Sequence, residues 1–423
     1  MKILLAAFAL LIAGAGFSQE ADAIYADYIK SPQLFVYGNQ LLYPIIHLNS
    51  NDKLELHFDD LQGDVKNYFY TYQLCTADWS PVDMNQMDFI RGFYQVNINS
   101  YKYSSIALTR YTHYQALVPE LNCVPSRSGN YLLKVFLDND TSKLVFTRRF
   151  LVVQDGASIA AQVQQPLNPM TSYTHQKIQF IVNTGTLNII DPLQQLKIAI
   201  LQNYRWDNAI QGIQPSFYSG NSFEYNSDDN CIFPAGKEWR WLDIQSFRFQ
   251  SDRVQRADYQ KSATSVFVKP DQERARQIYY AYSDLNGLFY VQTSENINPL
   301  WQTDYATVHF SFVPGGNEPY PNQDVYLLGK FTDYHLNDQS KMSFNVERGI
   351  YEVSLLLKQG FYNYMYVTAA SKDPDKKPSF DFTEGNHLQT ENDYTILVYY
   401  RDLGGRADRL VALAALNSTL AGR

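Results

Sequence analysis

Residues 131–153 read YLLKVFLDNDTSKLVFTRRFLVV, and this stretch decides the fold class. Two apolar runs, residues 131–137 and 144–153, flank the polar residues 138–141. Asp, Asn and Thr between two apolar runs are typical turn formers, so the stretch predicts a β-hairpin. The second run is followed by Gln154, Asp155 and Gly156, which predict the end of a first domain at this point.

Similar short runs continue along most of the chain. Residues 54–58 alternate as LELHF, a period of two that is typical of a half-buried strand. Further strands are predicted at residues 177–183, 196–202, 241–249, 265–268, 288–293, 306–313, 324–329, 341–346, 350–357, 361–368 and 394–400. Residues 270–282 predict one or two helical turns or a long loop, and residues 410–416 a last strand or a short helix. The fold is therefore predicted as all-β, with about three consecutive β-sandwich domains of the immunoglobulin-like or early-set type.

The predicted boundaries divide the chain into four parts. Residues 1–18 are predicted as a cleaved signal peptide, because Lys2 precedes an apolar run at 3–13 and small residues lead to Gln19. This run is shorter than the roughly 20 residues needed to span a bilayer. Residues 19–155 are predicted as the first β-sandwich, 156–303 as a second β-rich domain, and 304–423 as a third, early-set-like sandwich.

Composition limits the classes of function. The chain has 423 residues and a formal net charge of −8, which argues against nucleic acid as the main partner. It contains 33 Tyr, 25 Phe and 5 Trp, and this aromatic excess has three interpretations. The rings fill cores, form a protein-binding face, or stack on sugars.

The motif search predicts no enzyme. The sequence has no nucleophile elbow, no phosphate-binding loop and no HExxH pair, so we expect no catalytic residues, no metal ligands and no cofactor. The carboxylate pairs Asp59-Asp60 and Asp228-Asp229 are expected in solvated turns. Cys75, Cys123 and Cys231 allow either a bridge between the first two or three buried thiols.

Two aromatic-rich stretches are the strongest candidates for a specific role. Residues 70–80 read YTYQLCTADWS, and residues 201–209 read LQNYRWDNA. Arg205 has the neighbours Trp206 and Asp207, so its guanidinium has both an aromatic face and a carboxylate within reach. We favour the interpretation that both stretches are structural corners with buried aromatic side chains.

At these stretches the sequence resembles the type IX secretion system plug protein family of Bacteroidota, over residues 25–420. The matching stretches of the first domain are residues 72–75, 78–81, 89–93, 111–114, 128–135 and 147–150. Those of the second are residues 165–166, 168–169, 175–176, 201–203, 205–208, 233–234 and 247–248. Those of the third are residues 325–326, 358–364, 391–401 and 417–418. The chain departs from the family pattern at Tyr204, where Gly is expected, and at Ala407, where Tyr is frequent.

The resemblance implies a non-enzymatic periplasmic protein without a membrane span. It would dock on the periplasmic mouth of a giant outer-membrane translocon barrel and close the pore when no substrate is exported. No small-molecule ligand is expected. The family-motif positions, whose role in docking is unknown, are Tyr72, Asp78, Trp79, Arg205, Trp206, Asp207, Tyr364, Asn392 and Tyr394.

The third domain carries a second resemblance, to early-set glycogen-binding modules. It rests on residues 325–334, 349–353 and 360–364, with Tyr334 where those modules carry a Trp. The alternative function is therefore a secreted carbohydrate-binding protein that uses exposed aromatic side chains of this domain. A shared scaffold does not by itself imply a shared function.

Overall fold

The computed structural model describes residues 21–260 and 263–419 and confirms the all-β class. The first strands, β1–β11, are Ile29–Val36, Ile45–His47, Leu54–Asp60, Tyr68–Cys75, Ile90–Gly92, Val96–Asn97, Ser100–Tyr103, Thr112–Val118, Cys123–Pro125, Gly129–Leu137 and Leu144–Val153. Strands β12–β23 are Ser158–Gln164, His175–Asn183, Leu196–Gln202, Ile210–Gln211, Phe217–Ser219, Ser222–Tyr225, Ile232–Pro234, Arg240–Asp243, Val254–Tyr259, Thr264–Val268, Asp271–Gln272 and Phe289–Val291. Strands β24–β30 are Tyr305–Val313, Gln323–Leu328, Ser343–Asn345, Ile350–Lys358, Gly360–Ala370, Asp393–Tyr400 and Arg409–Asn417. Helical structure in the described residues is a single α turn, α1 (Pro192–Gln195), and the 3₁₀ turns Gln86–Asp88, Gly315–Asn317 and Lys330–Thr332.

The first sandwich contains β1–β11. One sheet has the order β1-β3-β8-β7 and the other β2-β11-β10-β4-β6. Strands β10 and β11 form the predicted hairpin, and the turn residues Asp138 and Asn139 adopt positive φ, as such residues tolerate. The two sheets close on one apolar core, to which β3, β4 and β10 contribute fully buried side chains such as Phe58, Tyr70 and Leu133.

The second sandwich contains β12–β18 together with the last two strands of the chain. Its sheets are β12-β13-β17-β16, with β18 on β13, and β15-β14-β29-β30. All seven residues of β14 pair with β29, from Leu196 opposite Tyr400 to Gln202 opposite Tyr394. Strands β14 and β29 therefore stabilise each other, although about 190 residues of sequence separate them.

The third sandwich contains β19–β28. Its larger sheet is β20-β21-β24-β27-β26, with β22 on β24, and its smaller sheet is β19-β28-β23, with β25 on β28. The core between them includes Leu242, Val266, Phe310 and Tyr364. The third sandwich is thus inserted into the second, between β18 and β29.

This grouping of the sheets differs from the linear division predicted at residues 303 and 304. Strands β19–β23, assigned to the second domain, join the third sandwich, and β29 and β30, assigned to the third domain, join the second. The physical reason is that hydrophobic periodicity identifies a strand but not its partner. A short apolar run looks the same whether it pairs with a neighbour or with a distant strand.

The structure also decides between the alternatives that the sequence left open for two segments and for the cysteines. Residues 270–282 form the short strand β22 followed by irregular chain, and the closing segment is the strand β30. Cys75, Cys123 and Cys231 are free, buried thiols, so the possible bridge is absent. The predicted signal peptide lies outside the described residues. Within residues 21–260 and 263–419, no helix is long and apolar enough to cross a membrane.

The return of β29 into the second sandwich predicts different outcomes for two shortened chains. A chain that ends at residue 303 lacks β29, so β14 keeps only its short pairing with β15 and its apolar side chains are exposed. A chain in which a short Gly-Ser linker replaces residues 238–390 keeps both strands. A short linker is sufficient because the two ends lie close together: Asn392 Nδ2 is 2.9 Å from the Ala235 carbonyl oxygen.

We expect calorimetry to show a cooperative unfolding transition for the linked chain in addition to that of the first sandwich. We expect that transition to be absent from the chain that ends at residue 303. The opposite result would support the linear division.

Candidate functional site

The two aromatic-rich stretches meet where the first and second sandwiches touch. Trp79 follows β4 in a tight turn, and its ring packs edge-on against Trp206 with 4.9 Å between centroids. The guanidinium of Arg149, on β11, lies 4.9 Å from the Trp79 ring and 5.6 Å from the Trp206 ring. Asp22 accepts hydrogen bonds from Arg149 Nη1 at 3.0 Å and from its backbone N–H at 2.8 Å. Two tryptophans and one ion pair therefore hold this corner together.

The backbone of the second stretch turns in a left-handed conformation. Asn203 has φ of 54° and Tyr204 has φ of 55°, a region that glycine adopts without strain. This conformation agrees with the Gly that the resemblance leads us to expect at position 204, and Tyr204 adopts it at the cost of backbone strain. The Tyr204 ring stacks on Tyr43 of the first sandwich at 4.1 Å, which offsets that cost.

Arg205 connects the second sandwich to the third. Its side chain is buried, and Nε donates to Asp207 Oδ1 at 3.1 Å while Nη2 donates to Oδ2. Three rings of the third sandwich surround the guanidinium at centroid distances between 5.4 and 5.9 Å: Tyr334, Phe380 and Trp239. Arg205 therefore links the turn of the second sandwich to the aromatic side chains of the third.

Asn392 and Tyr394 belong to a buried amide network beside the same turn. Asn392 Nδ2 donates to Gln176 Oε1 at 3.1 Å, and Asn392 Oδ1 accepts from Asn203 Nδ2 at 2.8 Å. The Tyr394 hydroxyl donates to Gln176 Oε1 at 2.7 Å. This network fixes the point at which the chain returns from the third sandwich to the second.

The remaining family-motif positions lie away from this corner or at its edge. Tyr72 is buried in the core of the first sandwich, and its hydroxyl donates to the Cys123 carbonyl oxygen at 3.2 Å. Tyr364 is buried in the third sandwich, where its hydroxyl donates to Asp271 Oδ2 at 2.8 Å. Asp78 shapes the turn before Trp79 by accepting from the backbone N–H of Ser80 at 3.2 Å.

A buried ion pair that the sequence analysis missed joins the first and third sandwiches. Asp59 and Lys358 have side chains exposed by 1% and 2%, and Lys358 Nζ donates to Asp59 Oδ2. His113 and the Tyr305 hydroxyl also lie 2.6 Å from the Asp59 carboxylate oxygens. Asp59 was expected in a solvated turn with Asp60, but both residues lie in β3 and are buried.

The charge states of this cluster follow from its surroundings. Burial opposes ionisation of Asp59, but the positive charge of Lys358 and the hydrogen bond with His113 outweigh it and lower the pKa of Asp59. Burial lowers the pKa of His113 to about 4, so this imidazole is neutral at neutral pH. The cluster is therefore a single ion pair with neutral hydrogen-bonding neighbours.

Acidic side chains gather where the second and third sandwiches meet. Burial raises the pKa of Asp284 to about 7, and the nearby carboxylates of Glu391 and Glu238 act in the same direction. Burial also raises the pKa of Glu391. Backbone N–H groups of Trp239 and Asn286 donate to Asp284, so the carboxylate has a fixed position.

The arrangement has the properties of a structural junction. Within the described residues, no group of three or more His, Cys, Asp and Glu side chains is placed to hold a metal ion. Tyr334, at the stacking position of the carbohydrate alternative, is only 6% exposed and packs against Trp239, so it offers no face to a sugar ring. Tyr326, Tyr351, Tyr362 and Tyr364 are also buried.

Comparison with known proteins gives two findings. Residues 29–154 match the family model described as type 9 secretion system plug protein 1st domain. The chain is also similar to the crystal structure, at 2.30 Å resolution, of a protein from Parabacteroides merdae ATCC 43184 described as hypothetical. The TM-score is 0.89 and the identity 31%, and the match covers 94% of this chain and 99% of that one. A search of curated proteins gave no match.

Replacement of Lys358 by Met leaves the Asp59 carboxylate buried without its counter-charge. We expect Lys358→Met to lower the free energy of unfolding by about 3–5 kcal/mol, as for other broken buried pairs. The control is Lys143→Met, because Lys143 pairs with Asp138 at the surface, where the side chains are 52% and 54% exposed. The control should leave the midpoint of denaturation nearly unchanged, because solvent screens an exposed ion pair. Equal effects in denaturant titrations would contradict the assignment.

The raised pKa of Asp284 predicts a pH dependence of stability. A carboxyl group that binds its proton more tightly in the folded state stabilises the protein at low pH. This contribution is lost as the pH rises through the folded pKa of about 7. We expect the free energy of unfolding to fall by roughly 1 kcal/mol between pH 6 and pH 8 from this group.

Asp284→Asn keeps one acceptor oxygen and removes the titration, so its stability profile should be flatter over this range. The control is Asp140→Asn, since Asp140 is fully exposed, and this variant should keep the slope of the original chain. Parallel stability profiles for the original chain and Asp284→Asn would show that the pKa of Asp284 in the folded chain lies outside this pH range.

Proposed function

Because the chain belongs to the type IX secretion system plug protein family, we propose that it is a non-enzymatic periplasmic plug. It docks on the periplasmic mouth of the giant outer-membrane translocon barrel and closes the pore when no substrate is exported. Its association with the outer membrane is peripheral and occurs through this protein partner. Cargo or a competing protein that binds the barrel releases it, because such a ligand shifts the equilibrium towards the open state.

The observation that carries the proposal is the tight fusion of the sandwiches into one body. The outer faces of β11, β14 and β29 share an apolar cluster that includes Leu151, Leu201 and Leu397. The buried pair of Asp59 with Lys358 ties the first sandwich to the third. A closed pore needs a body that does not deform or thread through the opening. A chain whose sandwiches share buried contacts meets this requirement.

Two exposed loops supply a docking face of suitable chemistry. In one loop Met170 is 85% exposed and Tyr173 is 73% exposed, and in the other Ile278 is 94% exposed and Tyr280 is 79% exposed. Both loops are anchored on residues 387–389: the Tyr173 carbonyl oxygen accepts from the Leu388 N–H, and the Tyr279 ring stacks on His387. Exposed apolar and aromatic side chains on fixed loops are typical of protein interfaces.

The experiment is affinity purification of the tagged chain from detergent-solubilised outer membranes, followed by mass spectrometry. We expect recovery of one very large barrel protein. The double variant Ile278→Ser/Tyr280→Ser should recover at least about tenfold less of it, because buried anchors at an interface carry most of the binding energy.

The matched control is Phe217→Ser/Tyr218→Ser, which removes one phenylalanine and one tyrosine that are 63% and 56% exposed on the edge strand β16. This control should recover the barrel as the original chain does. Recovery of the chain without any large barrel protein would contradict the plug function. Equal losses in both variants would contradict the docking face but leave the function standing.

A further inference from the structure

A cavity of about 340 Å³ lies where the three sandwiches meet. Its walls come from residues 30–35 and 40–44 of the first sandwich, from the turn of residues 203–207, and from residues 330–335 and 355–357 of the third sandwich. Leu42 and Leu356 line it and are 49% and 41% exposed, so the cavity is open to solvent. Its volume falls within the range of about 300–1,000 Å³ that is usual for ligand pockets.

Four side chains that line this cavity carry buried polar atoms without a hydrogen-bond partner among the described residues. The atoms are Arg149 Nε, Tyr204 Oη, Trp206 Nε1 and Tyr334 Oη. Guanidinium and indole N–H groups only donate, and phenol hydroxyls also donate. Buried polar groups are nearly always paired, and an unpaired group is costly. The partners missing from Arg149 Nε and Trp206 Nε1 are therefore acceptor atoms, and both phenol hydroxyls can donate to such atoms as well.

Two open strand edges border the same cavity. Strand β1 is the outer strand of its sheet and, in the described part of the chain, pairs with β3 on one side only. Strand β27 pairs with β26 only at Ile350–Glu352, so residues 353–358 pair with β24 alone. Open edges present backbone N–H and C=O groups that accept an added extended segment.

The charges of the cavity favour an acidic ligand. Four cationic side chains line it, namely Lys30, Arg148, Arg149 and Lys330, against three aspartates. Asp22 pairs with Arg149, and Asp333 pairs with Arg148 and Lys330. Lys30 has no ion-pair partner among the residues that the structure describes, so one positive charge is available to a ligand.

We propose that this cavity binds an extended segment of another polypeptide that carries a large apolar side chain next to an aspartate or glutamate. The apolar side chain packs among the leucines and rings of the wall, and the carboxylate lies near Lys30. Three of the side chains with unpaired donors lie together, since the Trp206 ring is 5.6 Å from the Arg149 guanidinium and 6.4 Å from the Tyr204 ring. The fourth, Tyr334, lies beside Arg205. A fatty acid has acceptor atoms at one end only, whereas a peptide has a carbonyl group at every residue. The inference does not depend on the plug function.

The experiment is selection of a phage-displayed library of random linear heptapeptides on the purified full-length chain. We expect enrichment of sequences with an aromatic or large aliphatic residue beside Asp or Glu. The variant Leu356→Arg blocks the mouth of the cavity and should abolish the enrichment. The matched control Leu117→Arg changes a leucine of similar exposure, 45%, on β8 and should retain it. No enrichment, or equal enrichment on both variants, would overturn the proposal.

A second variant tests ligand binding at the same cavity without blocking its mouth. Tyr334→Phe removes one unpaired hydroxyl, so it should weaken the binding of a selected peptide about tenfold in calorimetric titration. It should not lower the melting temperature of the free chain, because the hydroxyl has no partner there. Octanoate serves as the lipid probe in the same titrations. Binding of octanoate but of no peptide, or unchanged peptide affinity in Tyr334→Phe, would show that the proposal is wrong.

Discussion

The pairing of β14 with β29 is the constraint on which the rest of the structure depends. Each strand is buried on both faces, because one face packs in the core of the second sandwich and the other packs against the first sandwich. Ile198 and Ile396 point into the core of the second sandwich, while Leu201 and Tyr399 pack against the first. The chain between the two strands must leave and return at one place. The third sandwich is therefore held at both of its ends by the second and cannot move far from it.

Buried polar groups then determine how the sandwiches sit on one another. Apolar contact is non-directional and tolerates sliding, but an unpaired buried charge does not. Asp59 of the first sandwich forms its ion pair with Lys358 only when the third sandwich is in place. In the same way Tyr399 of the second sandwich donates to Asn130 of the first at 2.8 Å. These contacts add less to stability than the apolar clusters, but they select one arrangement of the three sandwiches.

The sequence could predict what depends on local pattern. Many of the strands and the hairpin of residues 131–153 follow from periodicity and turn residues, although residues 241–249 form a strand only at Arg240–Asp243. What could not be predicted depends on distant partners. Asp59 beside Asp60 looks like a solvated turn until the fold brings Lys358 to it. Tyr334 resembles a sugar-stacking position, but Arg205 and Trp239 cover it from parts of the chain that no local pattern connects.

Several of the buried tyrosines donate hydrogen bonds to buried carboxylates. A phenylalanine fills space but leaves a buried carboxylate without a partner, whereas a tyrosine fills the same space and donates a hydrogen bond. Tyr68 donates to Asp60, and Tyr364 and Tyr366 both donate to Asp271, in the cores of two different sandwiches. In these two cores tyrosine therefore combines space filling with a hydrogen bond to a buried carboxylate.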